Sequence, residues 1–111
     1  MTAKRLVISG IEVDANSVAN CDAIRLTAVP NFTLRNVRAW NARTAIDVVG
    51  SLLGKLDGVV ARNSATGFKF RDDPVATCYA NAIRMDSCRA LGCTSWGLDF
   101  GKGSGLLVDS L

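Results

Sequence analysis

The chain has 111 residues, enough for one domain and too few for two with separate cores. Apolar residues make up 49% of it and aromatics 6%, which excludes disorder and favours a narrow core of small and β-branched side chains. The net charge of +3 spreads 13 basic residues among 10 acidic ones with no basic run, so nucleic acid is not an expected partner.

At the start, Lys4 and Arg5 precede an apolar run of only Leu6, Val7 and Ile8, which Ser9 and Gly10 end; no secretory signal is read there. From this point a degenerate block recurs. Ile8-Ser9-Gly10-Ile11-Glu12-Val13 is followed by Ala23-Ile24-Arg25-Leu26. Phe32-Thr33-Leu34-Arg35-Asn36-Val37-Arg38-Ala39 is followed by Ala45-Ile46-Asp47-Val48. Lys55-Leu56-Asp57-Gly58-Val59-Val60-Ala61 leads to Gly67-Phe68-Lys69-Phe70, and Ile83-Arg84-Met85-Asp86-Ser87-Cys88-Arg89-Ala90 to Gly97-Leu98-Asp99-Phe100. Leu106-Leu107-Val108-Asp109-Ser110-Leu111 opens a last, partial copy.

The spacings test this alignment. Leu26 to Val48 and Val48 to Phe70 are each 22 residues, and Leu34 to Leu56 is 22 again. Ile8 to Leu34 is 26, Leu56 to Met85 is 29 and Phe70 to Phe100 is 30. A base period near 22 therefore holds, with about four extra residues within 14–22 and seven or eight within 71–80. Two apolar-alternating strands per copy are expected from the period-2 pattern. Small polar residues (Gly10, Asn36, Gly58, Ser87, Ser110) suit a sharp bend, and Asn41 and Asn63 mark a second corner. No apolar stripe of helical period appears. A leucine-rich repeat has a similar period, but it predicts one strand per copy, whereas here a second recurs as faithfully as the first.

These features predict an all-β fold, a right-handed parallel β-helix of 4–5 coils of roughly 22 residues, spanning 1–111 as one segment. The coils are placed at about 5–27, 28–50, 51–80 and 81–103, with a partial one at 104–111. Inward columns are read as Ile8/Leu34/Leu56/Met85/Val108, Ile11/Val37/Val59/Cys88/Leu111, Leu26/Val48/Phe70/Phe100 and Val13/Ala39/Ala61/Ala90. Arg25, Asp47, Lys69 and Asp99 form an outward column of alternating sign, read as exposed pairs worth about 0–1 kcal/mol each. The chain stops in mid-coil without a capping helix, so a fragment of a longer protein, or an end covered by another chain, is expected.

Asp57, Asp86 and Asp109 share an outward column beside Lys55 and Arg84. Stacked carboxylates with nearby cations could serve as an acid/nucleophile pair or a Ca²⁺ site, but the simpler reading is a solvated face balanced by Arg35, Lys55 and Arg84. The insertion carries Asp72, Asp73 and Tyr79, acceptors and a ring suited to sugar, while Trp40 and Trp96 offer further stacking surfaces in different columns. The chain has no histidine, no Gly-rich phosphate loop and no nucleophile elbow, so nothing compels an enzyme. Cys21, Cys78, Cys88 and Cys93 form no CxxC pair and, without histidine, no Cys/His zinc site; their pairing stays open, with buried thiols the simpler reading. No apolar stretch approaches the roughly 20 residues of a membrane helix.

The repeated Leu-x-Asn-Val-x-Ala and Ala-Ile-x-Val blocks, as in 32–48 and 55–70, resemble coils of the pectate-lyase-like superfamily of right-handed β-helices, among them bacteriophage tailspikes and tail fibres. The resemblance implies a structural, trimeric, carbohydrate-facing part of a phage tail, located in the virion or outside the cell, that recognises host-surface polysaccharide. It also admits part of a polysaccharide lyase or glycoside hydrolase, or a secreted bacterial β-helix adhesin. No catalytic motif is carried over, and no cofactor is implied beyond the Ca²⁺ option.

Overall fold

The computed structural model describes residues 6–51, 53–72, 83–102 and 107–108, and every regular element within them is a strand. The first circuit holds β1 (Leu6–Ser9), β2 (Glu12–Asp14) and β3 (Ile24–Thr27). The second holds β4 (Phe32–Arg35), β5 (Arg38–Trp40) and β6 (Thr44–Val49). The third holds β7 (Gly54–Asp57), β8 (Val60–Arg62) and β9 (Thr66–Arg71). The fourth holds β10 (Arg84–Asp86), β11 (Arg89–Leu91) and β12 (Trp96–Lys102), and β13 (Leu107–Val108) follows.

Every third strand joins the same sheet. The first sheet runs β1-β4-β7-β10-β13, the second β2-β5-β8-β11 and the third β3-β6-β9-β12. All neighbouring strands are parallel. Each circuit adds one strand to every sheet, which makes the chain a three-sheet parallel β-solenoid.

Three strands per circuit replace the two expected from the sequence. The cause is a single residue at the first corner. Gly10, Asn36, Gly58 and Ser87 occupy the left-handed region, with φ of 69°, 52°, 64° and 54°. That residue breaks the ladder and resets the alternation, so Leu34 and Val37 are both fully buried although three positions apart. The second corner is turned the same way by Asn41 (φ 57°) and Asn63 (φ 49°), as the sequence implied. The two amides do not bond each other, however. The Asn41 side chain donates to Asp14 Oδ1 at 3.1 Å, and Asn63 lies against Gly92 in the next circuit.

The register follows the repeat. Ile8 stands opposite Leu34, an offset of 26, and Leu34 opposite Leu56, an offset of 22. Leu56 meets Met85, an offset of 29, while Phe70 meets Phe100, an offset of 30. The one-residue difference lies between β11 and β12, outside the 71–80 insertion to which it had been assigned. Leu34, Leu56, Val37, Val59, Ala39, Ala61, Val48 and Phe68 are completely buried, so the columns form one continuous core. Ile11 and Ala90 depart from their inward columns by being exposed. They lie in the first and fourth circuits, where a described neighbour covers them on one side only.

Size matching between circuits fixes the stack. A Cβ on Gly54 would overlap the ring of Phe32, which lies across that glycine from the preceding circuit. At the corners, where strand bonds stop, buried serines complete the rungs. Ser51 Oγ accepts the Val29 N–H at 3.1 Å and Ser64 Oγ accepts the Ala42 N–H at 3.2 Å, each across 22 residues. No buried side-chain polar atom among the described residues lacks a partner.

Candidate functional site

Alternation along each strand turns one set of side chains outward, in rows spaced at about 4.8 Å from circuit to circuit. On the first sheet Lys55 stands opposite Arg84, and Asp57 opposite Asp86, which brings the sequence-nominated carboxylates and cations into one patch. Arg35 Nε lies 3.9 Å from Asp57 Oδ2, and the Ser87 hydroxyl donates to Asp86 Oδ1 at 3.4 Å. Among the described residues no group of three or more acidic or thiol side chains converges, far short of the six to eight oxygens Ca²⁺ takes. Asp109 lies outside the described residues.

The tryptophans do not form a platform. Trp40 is half-buried on β5, opposite Asp14 in register. Trp96 opens β12 on a different sheet and is 62% exposed. Asp72 is half-buried, whereas Asp73 and Tyr79 lie outside the described residues.

The most organised outer surface belongs to the third sheet. Arg25, Asp47, Lys69 and Asp99 stand in register there, as the sequence implied. The expectation of simple exposed pairs is corrected: Asp47 is only 2% exposed. Its carboxylate is held by Arg71, which donates from Nη2 to Oδ2 at 3.1 Å and from Nε to Oδ1 at 3.5 Å. Arg25 approaches Oδ2 at 3.8 Å from the other side. Burial of an aspartate requires such pairing, because an uncompensated carboxylate out of water is costly. Lys69, although opposite both Asp47 and Asp99, makes no ion pair among the described residues.

A groove of about 330 Å³ opens over this row, lined by Arg43, Thr44, Asp47, Thr66, Lys69 and Arg71. Arg43 closes one side through a two-pronged contact with Asp22, Nε to Oδ1 at 3.1 Å and Nη2 to Oδ2 at 3.2 Å. These hydrogen bonds, and then the charge of Asp22, raise the guanidinium further above its ordinary value. No family model, curated protein or solved structure matches this chain. The groove's chemistry must therefore speak for itself.

Two of its cations are committed to carboxylates, which leaves the Lys69 ammonium as its uncommitted charged donor, while Thr44 and Thr66 are buried. A rigid polar trough with one uncommitted charge suits a polar ligand better than an apolar one. Neither histidine nor cysteine lines it.

Column reading found Asp47 and Lys69 but missed Arg71, Arg43, Thr44 and Thr66 as their companions. Arg71 reaches Asp47 diagonally, from two positions further along the next strand, opposite Val49. The diagonal neighbour was the signal available. Cys21, Cys88 and Cys93 are free thiols, and Cys78 lies outside the described residues. Burial pushes the Cys88 thiol up, so it stays protonated at neutral pH.

Proposed function

We propose that this chain is a right-handed parallel β-helix segment of a bacteriophage tail protein, of tailspike or tail-fibre type, whose outer face meets host-surface polysaccharide. The right hand follows the general preference of parallel crossovers, right-handed in about 98% of cases. The observation that carries the glycan reading is the groove of the third sheet. Its rigid floor is set by a buried, two-pronged Asp47–Arg71 pair, with the ammonium-bearing Lys69 in register beside it. Preorganised polar groups on a stacked scaffold bind sugars with little ordering cost. The protein acts as a trimer, in the virion or outside the cell.

Titration calorimetry with purified bacterial surface polysaccharides tests this. Saturable binding is expected, weakened roughly tenfold in Lys69→Ala, about the worth of one charge-assisted hydrogen bond. Absence of binding across the polysaccharides, or affinity untouched by Lys69→Ala, defeats the reading. Sedimentation equilibrium is expected to give three times the chain mass; a monomer removes the fibre assignment.

A second reading has one observation in its favour, the register that sets Asp57 beside Asp86 and Lys55 beside Arg84. That patch would serve a polysaccharide lyase or glycoside hydrolase. Depolymerisation lost in both Asp57→Ala and Asp86→Ala supports it, and full activity in either removes the pair.

A further inference from the structure

The first corner carries a second groove. It holds about 410 Å³ and runs along the stack across three circuits, with Gly10, Asn36 and Gly58 as its floor and Glu12, Arg38 and Val60 as its wall. Backbone bonding explains what the floor presents. Gly10, Asn36 and Gly58 donate their N–H groups to Arg35, Asp57 and Asp86, and the N–H groups of Arg38, Val60 and Arg89 bond the carbonyls of Ile11, Val37 and Val59. The carbonyls of Gly10, Asn36 and Gly58 accept no hydrogen bond among the described residues.

Their direction follows from peptide geometry. The Val59 N–H faces the buried Cys88 thiol, and the C=O of a trans peptide points opposite its N–H. The Gly58 carbonyl therefore points away from the core, and the same left-handed corner recurs at Gly10 and Asn36. The result is a row of free acceptors at strand spacing, about 4.8 Å, along an open trough. Two of the three floor positions are glycines, and the Asn36 side chain between them reaches towards Gly58.

We infer that this corner groove binds an extended, uncharged, hydroxyl-rich chain lying lengthwise along the stack, its hydroxyls donating to the carbonyls of Gly10, Asn36 and Gly58. A flat β-1,4-linked hexose chain advances by close to one strand spacing per sugar, and although each unit is turned over relative to the last, every unit carries a hydroxyl on either edge to meet an acceptor one circuit on. Glu12 and Arg38, 3.6 Å apart, neutralise each other on the wall and leave no net charge to select an acidic ligand. The ligand class rests on the carbohydrate reading above, but the site is a different one.

The test is NMR titration of the whole chain with a linear β-1,4-linked gluco-hexasaccharide, on wild type and Val60→Gln. A hydrogen bond to a carbonyl perturbs the amide nitrogen that follows it, so shifts are expected at Ile11, Val37 and Val59. Val60→Gln, which keeps an uncharged outward side chain but extends it into the trough, is expected to weaken binding at least tenfold. Shifts confined to Lys69 and Arg71 overturn the inference while leaving the third-sheet reading intact, and so does affinity unaffected by Val60→Gln. Absence of any shift at saturating sugar overturns it as well.

Discussion

The outer faces of the second and third sheets are built by the same stacking and end up with different electrostatics. On the second, Arg38 stands opposite Glu12, with its guanidinium 3.6 Å from the carboxylate and both side chains about 60% exposed. On the third, Asp47 is buried and gripped by two nitrogens of Arg71. In-register stacking guarantees that charges are neighbours, but it does not decide whether water leaves. Only where water leaves does a pair become a structural commitment.

The largest expected effect lies on the third sheet. Arg71→Ala leaves the Asp47 carboxylate buried with only Arg25, at 3.8 Å, in reach. Removing one partner of a buried pair costs several kcal/mol; because the Arg71 side chain is a third exposed, about 2–4 kcal/mol is expected here. Urea unfolding with an unchanged slope measures it. A loss within 0.5 kcal/mol would place Asp47 among ordinary surface charges and erase the contrast between the sheets.

Asp47→Asn is expected to cost less, about 1–2 kcal/mol. The amide keeps one acceptor for Arg71, and the freed guanidinium can return to water. If this substitution proves the costlier of the two, the guanidinium, not the carboxylate, is the group that depends on the pair.

How much of this contrast was legible beforehand follows from its causes. Registers such as Leu34–Leu56 and Leu56–Met85 were readable because each circuit repeats its inward side chains, and both insertions appear as breaks in one period. The third strand per circuit was not, because one left-handed residue, Asn36 or Gly58, interrupts an otherwise continuous alternation. The burial of Asp47 was hidden for another reason. Column reading compares residues directly opposite, whereas Arg71 answers from the diagonal, opposite Val49. The lengthwise trough was also invisible, since it is made by backbone carbonyls that no side-chain pattern reports.

On the second sheet, a double-mutant cycle of Glu12→Ala and Arg38→Ala is expected to give coupling of about 0.5 kcal/mol or less. That coupling should vanish in 1 M salt, where the screening length is about 3 Å. The Asp47–Arg71 coupling, partly shielded from solvent, should survive the same salt. Equal salt sensitivity in the two cycles would mean that the faces differ in geometry alone and not in desolvation.

The smallest effect concerns Asp14, also on the second sheet. The Asn16 backbone N–H, and then the Asn41 amide, bond its carboxylate and hold it below the ordinary value of 3.8. These bonds favour the charged form, so the folded state binds that proton more weakly than the unfolded chain does. The resulting stability is fully present above the unfolded value and is lost as pH falls through the lower, folded one. Asp14→Asn keeps an acceptor but cannot titrate. The melting-temperature difference between wild type and Asp14→Asn should be constant from pH 7 to about 5 and shrink towards pH 2. A difference that instead widens on acidification would mean the carboxylate is disfavoured at that corner, and the Asn41 contact would then be a consequence of the turn and not one of its supports.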